Sequence, residues 1–179
     1  MGRKPSIDKA RLLEAAERII VTRGASALSF DAIAKAAGVS KGGVQGAFGS
    51  KEELLSALYA HLDADYEERF SASRRAGASP VDAYVDAVTA AESMVNQRIA
   101  ALSLATALEP ESREYVRKWY AATFQNLSAA TPEGRQEILR LCALEGALML
   151  RFMNLLPIGD GDWAQVFSDI RGAGDPARR

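Results

Sequence analysis

The chain has 179 residues, 48% of them apolar and 25% charged, with a formal net charge of −1. That suits one domain with a good core, or a small module joined to a larger one. One cysteine (Cys142) and one histidine (His61) rule out an intrachain disulfide and a thiolate metal cluster, and argue against a His-based metal site or a Ser-His-Asp triad. The longest apolar run, Leu141 to Leu156, is interrupted by Glu145, Arg151 and Asn154, so no membrane span is expected. The first twenty residues lack the apolar stretch of a signal peptide, and a cytoplasmic protein is the expectation. Charge is uneven: residues 1 to 51 hold nine Lys/Arg against four acids, and the remainder thirteen against nineteen. Unless this is chance scatter over solvated faces, a basic head on an acidic body points to a head that meets a polyanion.

Nearly everything reads as helix. Ser6 can cap a first helix with Leu12, Leu13, Ala16, Ile19 and Ile20 at helical spacing, ending at Gly24. Ser29 caps a short second helix that Gly38 ends, and Ser40 caps a third. Ser50 with Glu53 forms a capping box that opens a long helix running to about Ala76. Ser79-Pro80 restarts the chain as helix after Gly77. Softer breaks are expected around Asn96 to Arg98 and at Glu109-Pro110. Thr131-Pro132 opens another long helix, which must end before Pro157. Asp162 then caps a last helix with Gln165 in the box position, and the tail frays from about Gly172. No strand pattern, repeat or low-complexity tract appears.

Residues Ser29 to Phe48 carry the most chemistry. Two short helices about a tight turn at Ala37-Gly38-Val39-Ser40 form a helix-turn-helix pattern, with Gly38 free to take positive φ. Ile33, Val39, Val44 and Phe48 would pack on Leu12, Ala16 and Ile19. The second helix would then present Lys41, Gly42, Gln45 and Gly46 to a DNA major groove. Each glycine in a helix interior costs about 1 kcal/mol against alanine, and Gly42, Gly43 and Gly46 all lie in this one. Exposed glycines let a backbone approach sugar-phosphate or a base edge, and free amides in the first turn favour an anion. Lys51 would clamp a neighbouring phosphate. A nucleotide-binding loop is excluded by spacing and by the lack of a preceding strand; a merely flexible loop fits poorly with the apolar spacing of Val39, Val44 and Phe48.

The runs LLEAAERII, RGASALSFDAIAKAAGVSKGG, Phe48 and SKEELLSAL, from Leu12 to Leu55, resemble the DNA-binding module of the TetR family of bacterial transcriptional regulators, in the subgroup whose recognition helix opens with SKGG. The resemblance covers about the first third of the chain. It implies a homodimer on a palindromic double-stranded DNA operator, and a helical C-terminal domain that binds a small-molecule effector and supplies the dimer interface. The DNA-contacting set is then Ser29, Ser40, Lys41, Gly42, Gly43, Gln45, Gly46 and Lys51. The family usually has Tyr at the position of Gln45, a bulky residue at Gly46 and often His at Ala47. Here Gln45 can pair with an adenine edge, and the expectation is phosphate anchoring weaker than the family norm, or compensation from the arm holding Arg3 and Lys4.

The expected organisation is all-α, with a DNA-binding domain over 1–51, a ligand-binding and dimerisation domain over 52–172 and a frayed tail over 173–179. From Leu141 the long helix is apolar on nearly every face, so it must be covered on nearly every face. A second copy is the simplest cover, with Leu148, Leu155, Trp163, Phe167 and Ile170 as dimer-interface candidates. Within it Glu145 is either a pocket acid that meets a ligand or half of an ion pair with Arg98, Arg113 or Arg151. Met94, Arg98, Leu102, Trp119, Tyr120, Phe124, Glu145, Met149 and Phe152 are the pocket candidates, although such side chains also make plain core. His61 reads as a surface or interdomain residue with a pH-sensing role left open, and Cys142 as buried and inert. No catalytic residue, metal or cofactor is expected. The reading is a ligand-responsive repressor; the alternative is a small-molecule-binding helical protein of the same fold that has lost strong DNA affinity.

Overall fold

The computed structural model describes residues 8–91, 93–108 and 110–174, without the side chains of 25, 93, 94, 105–108 and 110–112. Every regular element among the described residues is helical. The chain divides into two compact units: residues 1–62 with 101–117, and residues 63–100 with 118–179.

In the first unit α1 (Lys9–Arg23), α2 (Phe30–Ala37), α3 (Lys41–Phe48) and α4 (Lys51–Leu62) follow in chain order. Short polar side chains start each of them. The carboxylate of Asp8 accepts the Ala10 amide at 2.9 Å and so heads α1; Ser6 lies outside the described residues. Ser29, Ser40 and Ser50 accept the amides of Ala32, Gly43 and Glu53, each at 3.1 Å, satisfying donors that a helix start leaves open. Gly38 sits at φ 69, ψ 33, the left-handed geometry that lets α2 stop and α3 depart within three residues. Leu12, Ala16 and Ile19 of α1 close on Ile33, Val44, Phe48, Leu54, Leu55 and Leu58, all 3% exposed or less, while Val39 in the turn is half-buried. Tyr115 stacks on Tyr59 with ring centroids 5.8 Å apart, and the Tyr59 hydroxyl meets Ser103 at 3.0 Å. His61 pairs with Glu17 of α1 at 3.2 Å.

The helix expected to run from 51 to about 76 is two helices. α4 stops at Leu62, and α5 spans Tyr66–Arg75. Asp63 and Asp65 fall in that break, at positions where aspartate is better tolerated than in a helix interior. The Asp63 carboxylate, 7% exposed, receives the guanidinium of Arg69 one turn into α5.

The second unit is built on α5, α6 (Pro80–Thr89), α9 (Pro132–Phe152) and α10 (Asp160–Gly172), while α7 (Ser93–Leu108) and α8 (Pro110–Thr123) each have one end in either unit. Ser79 and Thr131 cap α6 and α9, each with proline in the first turn. The break expected around Asn96 comes earlier, after Thr89. Asn96 lies inside α7, buried, and donates to the carbonyls of Val88 and Ala91 at 2.8 and 3.3 Å, so it ends α6 rather than α7. α10 begins two residues before Asp162, after Gly159, and Gln165 meets Asp169 instead. Val81, Tyr84, Val85, Val88, Phe124, Leu144, Ala147, Leu148, Trp163 and Phe167 form the core. Arg140, 4% exposed, is enclosed with them and held by Asp82, Glu137 and the carbonyls of Ile170 and Arg171. Cys142, expected buried, is exposed, because α9 turns that face away from the core.

Candidate functional site

The surface of α3 is sorted by its own periodicity. Val44 and Phe48 face inward, while Lys41, Gly42, Gln45 and Gly46 are exposed side by side. A Cβ built on Gly42 or Gly46 meets nothing within 4 Å, and neither residue has positive φ. Nothing inside the chain demands glycine there; alanine would fit and would strengthen the helix. Gly43 is half-buried, its amide taken by Ser40. An open depression beside this face is walled by Ser29, Asp31, Lys41 and Lys51 over a floor of Leu28, Phe30 and Leu54. Asp31 is turned toward Lys35 at 2.7 Å; that lysine, with Lys41 nearby, holds its carboxyl below the usual carboxylate range. The exposed face of α3 thus offers one cation, one amide side chain and bare backbone, with Lys51 of α4 beside it, the equipment of a surface that meets a polyanion closely. Arg3 and Lys4 lie outside the described residues.

The pocket candidates do not all meet. Leu102 is buried in the first unit, Arg98 is half-buried in the second, and the side chain of Met94 lies outside the described residues. Met149 is 47% exposed and Phe152 packs on the core of the second unit. Trp119, Tyr120, Phe124 and Glu145 do come together. The Tyr120 hydroxyl donates to Glu145 Oε1 at 2.5 Å, and the Tyr84 hydroxyl lies close enough to that carboxylate to favour its charged form. Tyr84 makes edge contacts with Trp119 and Phe124, centroids 5.6 and 5.7 Å apart, and Tyr66 lies 6.3 Å from Tyr84 and 6.2 Å from Trp119. Tyr66 and Tyr84 escaped the sequence reading: helical spacing marks them as inward-facing but not as neighbours of Glu145. No arginine is among the groups that set the state of Glu145. Arg151 turns to Asp160 at 3.2 Å and lies over the rings of Phe152 and Phe167, and Arg113 belongs to the first unit.

Burial pushes the Glu145 carboxyl above its ordinary value of 4.5, against the hydrogen bond from Tyr120 and the nearby Tyr84 hydroxyl. Burial also pushes Tyr66 and Tyr84 up, helped by the charges of Glu67 and Glu145 for Tyr66 and of Glu145 for Tyr84; Asp63 and Arg69 act on Tyr66 in opposite senses. These hydroxyls therefore stay protonated. A raised folded-state value means stability that is present below the ordinary carboxylate range and lost as pH rises through that raised value. At pH 7 the chain is thus less stable than it is below the ordinary carboxylate range. Glu145→Gln, which keeps an acceptor for Tyr120, should raise the thermal midpoint at pH 7 by a few degrees. The advantage should vanish in melts below about pH 4.

Of the dimer-interface candidates, Leu148, Trp163 and Phe167 are buried in the chain's own core at 9, 4 and 3% exposure, so they have no face left for a partner. Ile170 is half-buried and Leu155 is 58% exposed. The uncovered apolar face of α9 is a different stripe: Leu139 at 69%, Cys142, Ala143, Gly146, Met149, Leu150 and Met153, all on one side of the helix. A Cβ on Gly146 would meet nothing within 4 Å.

Among known proteins, residues 12–58 match the family model described as bacterial regulatory proteins, tetR family, and residues 78–173 match that of the tetracyclin repressor-like C-terminal domain. No curated protein matches the chain in sequence. Three crystal structures share the fold. A transcriptional regulator from Rhodococcus sp. RHA1 is 22% identical, with 91% of this chain and 93% of that one covered and a TM-score of 0.62. A TetR-family regulator from Rhodococcus sp. is 17% identical over 93% and 96%, at 0.65. A TetR regulator from Rhodococcus sp. RHA1 is 22% identical over 93% of both chains, at 0.52. With a helix-turn-helix whose second helix bares glycines and lysine, and with family models matching both its N-terminal module and its C-terminal helices, the chain belongs to the TetR family of bacterial transcriptional regulators.

Proposed function

We propose that this DNA-binding regulator is a ligand-responsive repressor that acts as a homodimer on a palindromic operator, with α3 of each copy in a major groove. The observation that carries the reading is the face of α3, where Lys41 and Gln45 flank two glycines that no internal contact requires. Two such helices would enter successive grooves about 34–36 Å apart, or a multiple of a turn. Gln45 reads an adenine edge, Gly42 and Gly46 admit the DNA backbone, and Lys41 and Lys51 take phosphates with Ser29 and Ser40 beside them. An effector held in the second unit weakens operator binding by favouring a state of the dimer that fits the operator poorly; this requires different ligand affinity in the two states. No helix among the described residues is long and apolar enough to cross a membrane, and the site of action is the cytoplasm, where the DNA is. We assign no catalytic activity.

Selection of bound duplexes from a random library at two salt concentrations tests the reading. A palindrome should be enriched, with affinity falling steeply as salt rises. Gln45→Ala should relax the choice at one position per half-site by about 1–3 kcal/mol, whereas Lys41→Ala should weaken all sequences alike and flatten the salt slope by about one. No enrichment from a folded dimer at low salt would overturn the operator reading and favour the small-molecule binder without DNA affinity.

The α9 stripe supports the dimer. Its large ends, Leu139, Met149 and Met153, flank a small centre of Cys142, Ala143 and Gly146, a shape that lets a second α9 cross closely. Gly146→Arg places a charge at that crossing, at a position where a Cβ would meet nothing within 4 Å in its own chain. An unpaired charge buried in an interface costs several kcal/mol, so sedimentation should report dimer affinity weaker by roughly 100-fold or more with helix content unchanged. A variant that dimerises like the parent would remove α9 from the seam.

A further inference from the structure

The second unit holds a half-buried carboxylate that meets no cation among the described residues. Glu145 projects from α9 into a group of rings drawn from three other helices: Tyr66 of α5, Tyr84 of α6, and Trp119 and Tyr120 of α8, with Phe124 just beyond. The Tyr120 hydroxyl donates to it, and that of Tyr84 lies near it. The third, on Tyr66, is buried and has no hydrogen-bond partner. A buried hydroxyl left unpaired costs about 1–3 kcal/mol, and a half-buried carboxylate without a counter-ion adds to that. A fold free to optimise stability would carry an apolar side chain or an amide at position 145. Arg140, one turn earlier on the same helix, shows the contrast: its guanidinium is saturated by two carboxylates and two carbonyls.

Ring faces carry negative potential and attract cations, most strongly when desolvated. We infer that this cluster is the effector site and that it selects an organic ammonium cation, with charge on Glu145, carbon against the Tyr84 and Trp119 rings, and an N–H donated to the Tyr66 oxygen. The assignment rests on the reading that the second unit takes an effector, and it adds the sign of the ligand's charge and the groups that read it. The rings touch one another in this structure, with centroids 5.0 to 6.3 Å apart, so the cation must part them as it enters. α8, which carries Trp119 and Tyr120, is one of the helices shared with the first unit.

Calorimetric titration of the full-length protein with benzylammonium tests this, with benzyl alcohol as the neutral match and benzyltrimethylammonium as the cation without an N–H. Benzylammonium should bind saturably and at least ~10-fold more tightly than benzyl alcohol. Glu145→Gln, which stays folded with Tyr120 still paired, should weaken both cations by ~10-fold or more and leave benzyl alcohol unchanged. Tyr66→Phe should weaken benzylammonium while sparing benzyltrimethylammonium. Equal binding of alcohol and ammonium, indifference to Glu145→Gln, or no saturable binding of either cation would each overturn the assignment. Operator binding measured on the same samples separates the two failures: a protein that selects its palindrome but ignores these cations keeps the regulator reading and loses the cation site.

Discussion

Arg140→Ala should lower the thermal midpoint by on the order of 10 °C, the largest single-residue effect on stability expected here. The side chain is 4% exposed, and its guanidinium is spent entirely within the second unit. Nε donates to the Ile170 carbonyl at 2.9 Å, Nη1 to Glu137 at 2.5 Å, and Nη2 to Asp82 and to the Arg171 carbonyl. One residue thereby joins α6, α9 and the last turn of α10, where a cation also faces the negative end of the helix dipole. Removing it leaves two carboxylates, each only 21% exposed, joined through the Ser79 hydroxyl and stripped of their shared guanidinium. Breaking such a buried pair from one side costs about 3–5 kcal/mol, and a chain of this length loses about 2–4 °C per kcal/mol. Circular-dichroism melts at low and high salt read the effect. It should persist at high salt, because buried charges are poorly screened. The exposed pair Arg75–Glu68, 64 and 75% open to solvent, is the control: Arg75→Ala should shift the midpoint hardly at all. A drop for Arg140→Ala no larger than that for Arg75→Ala would show that the buried network does not hold these helices together.

Gly42→Ala with Gly46→Ala should move stability and DNA affinity in opposite directions. Both residues have helical backbone and open space where a methyl would go, so each alanine should add about 0.5–1 kcal/mol to folding, the lower end applying near helix termini. If the glycines exist to let the α3 backbone lie against DNA, the two methyls enter a closely packed interface, where overpacking costs about 1–3 kcal/mol. Binding to the selected operator should weaken on the order of 10- to 100-fold, while dimerisation, which lies elsewhere, is untouched. A thermal melt and a binding isotherm on the same preparation decide it. Higher stability with unchanged affinity would leave these glycines without a role in DNA contact. Ser40→Ala is a useful companion, because it removes the bond to the Gly43 amide and should cost about 1 kcal/mol of stability before any DNA is present.

Reading the sequence worked best where the physics is short-range. The caps at Ser29, Ser40, Ser50, Ser79 and Thr131 and the left-handed turn at Gly38 each depend on residues within three or four of one another, and each forms as spacing predicts. The exposed face of α3 follows from the same logic, once Val44 and Phe48 set which side is inward. Boundaries were harder. The break at Asp63 to Asp65 depends on Arg69 reaching back to a buried carboxylate, and the end of α6 depends on Asn96 from the next helix. Neither pairing leaves a periodic trace.

The sequence by itself determined an all-helical chain and a helix-turn-helix with a glycine-bared second helix, because caps, turns and amphipathic spacing are local properties of the chain; its family came instead from the resemblance of its N-terminal runs. Only the tertiary structure decided how α9 is divided. A helix apolar on all sides has no phase to read, so nothing local says that Leu144, Ala147 and Leu148 face the core while Leu139, Cys142 and Met149 face outward. Nor could spacing alone bring Tyr66, Tyr84 and Tyr120, from three helices, to the carboxylate of Glu145. Those neighbours lie 25 to 79 residues away along the chain, and what joins them is the shared burial of surfaces whose partners are set only when the helices pack.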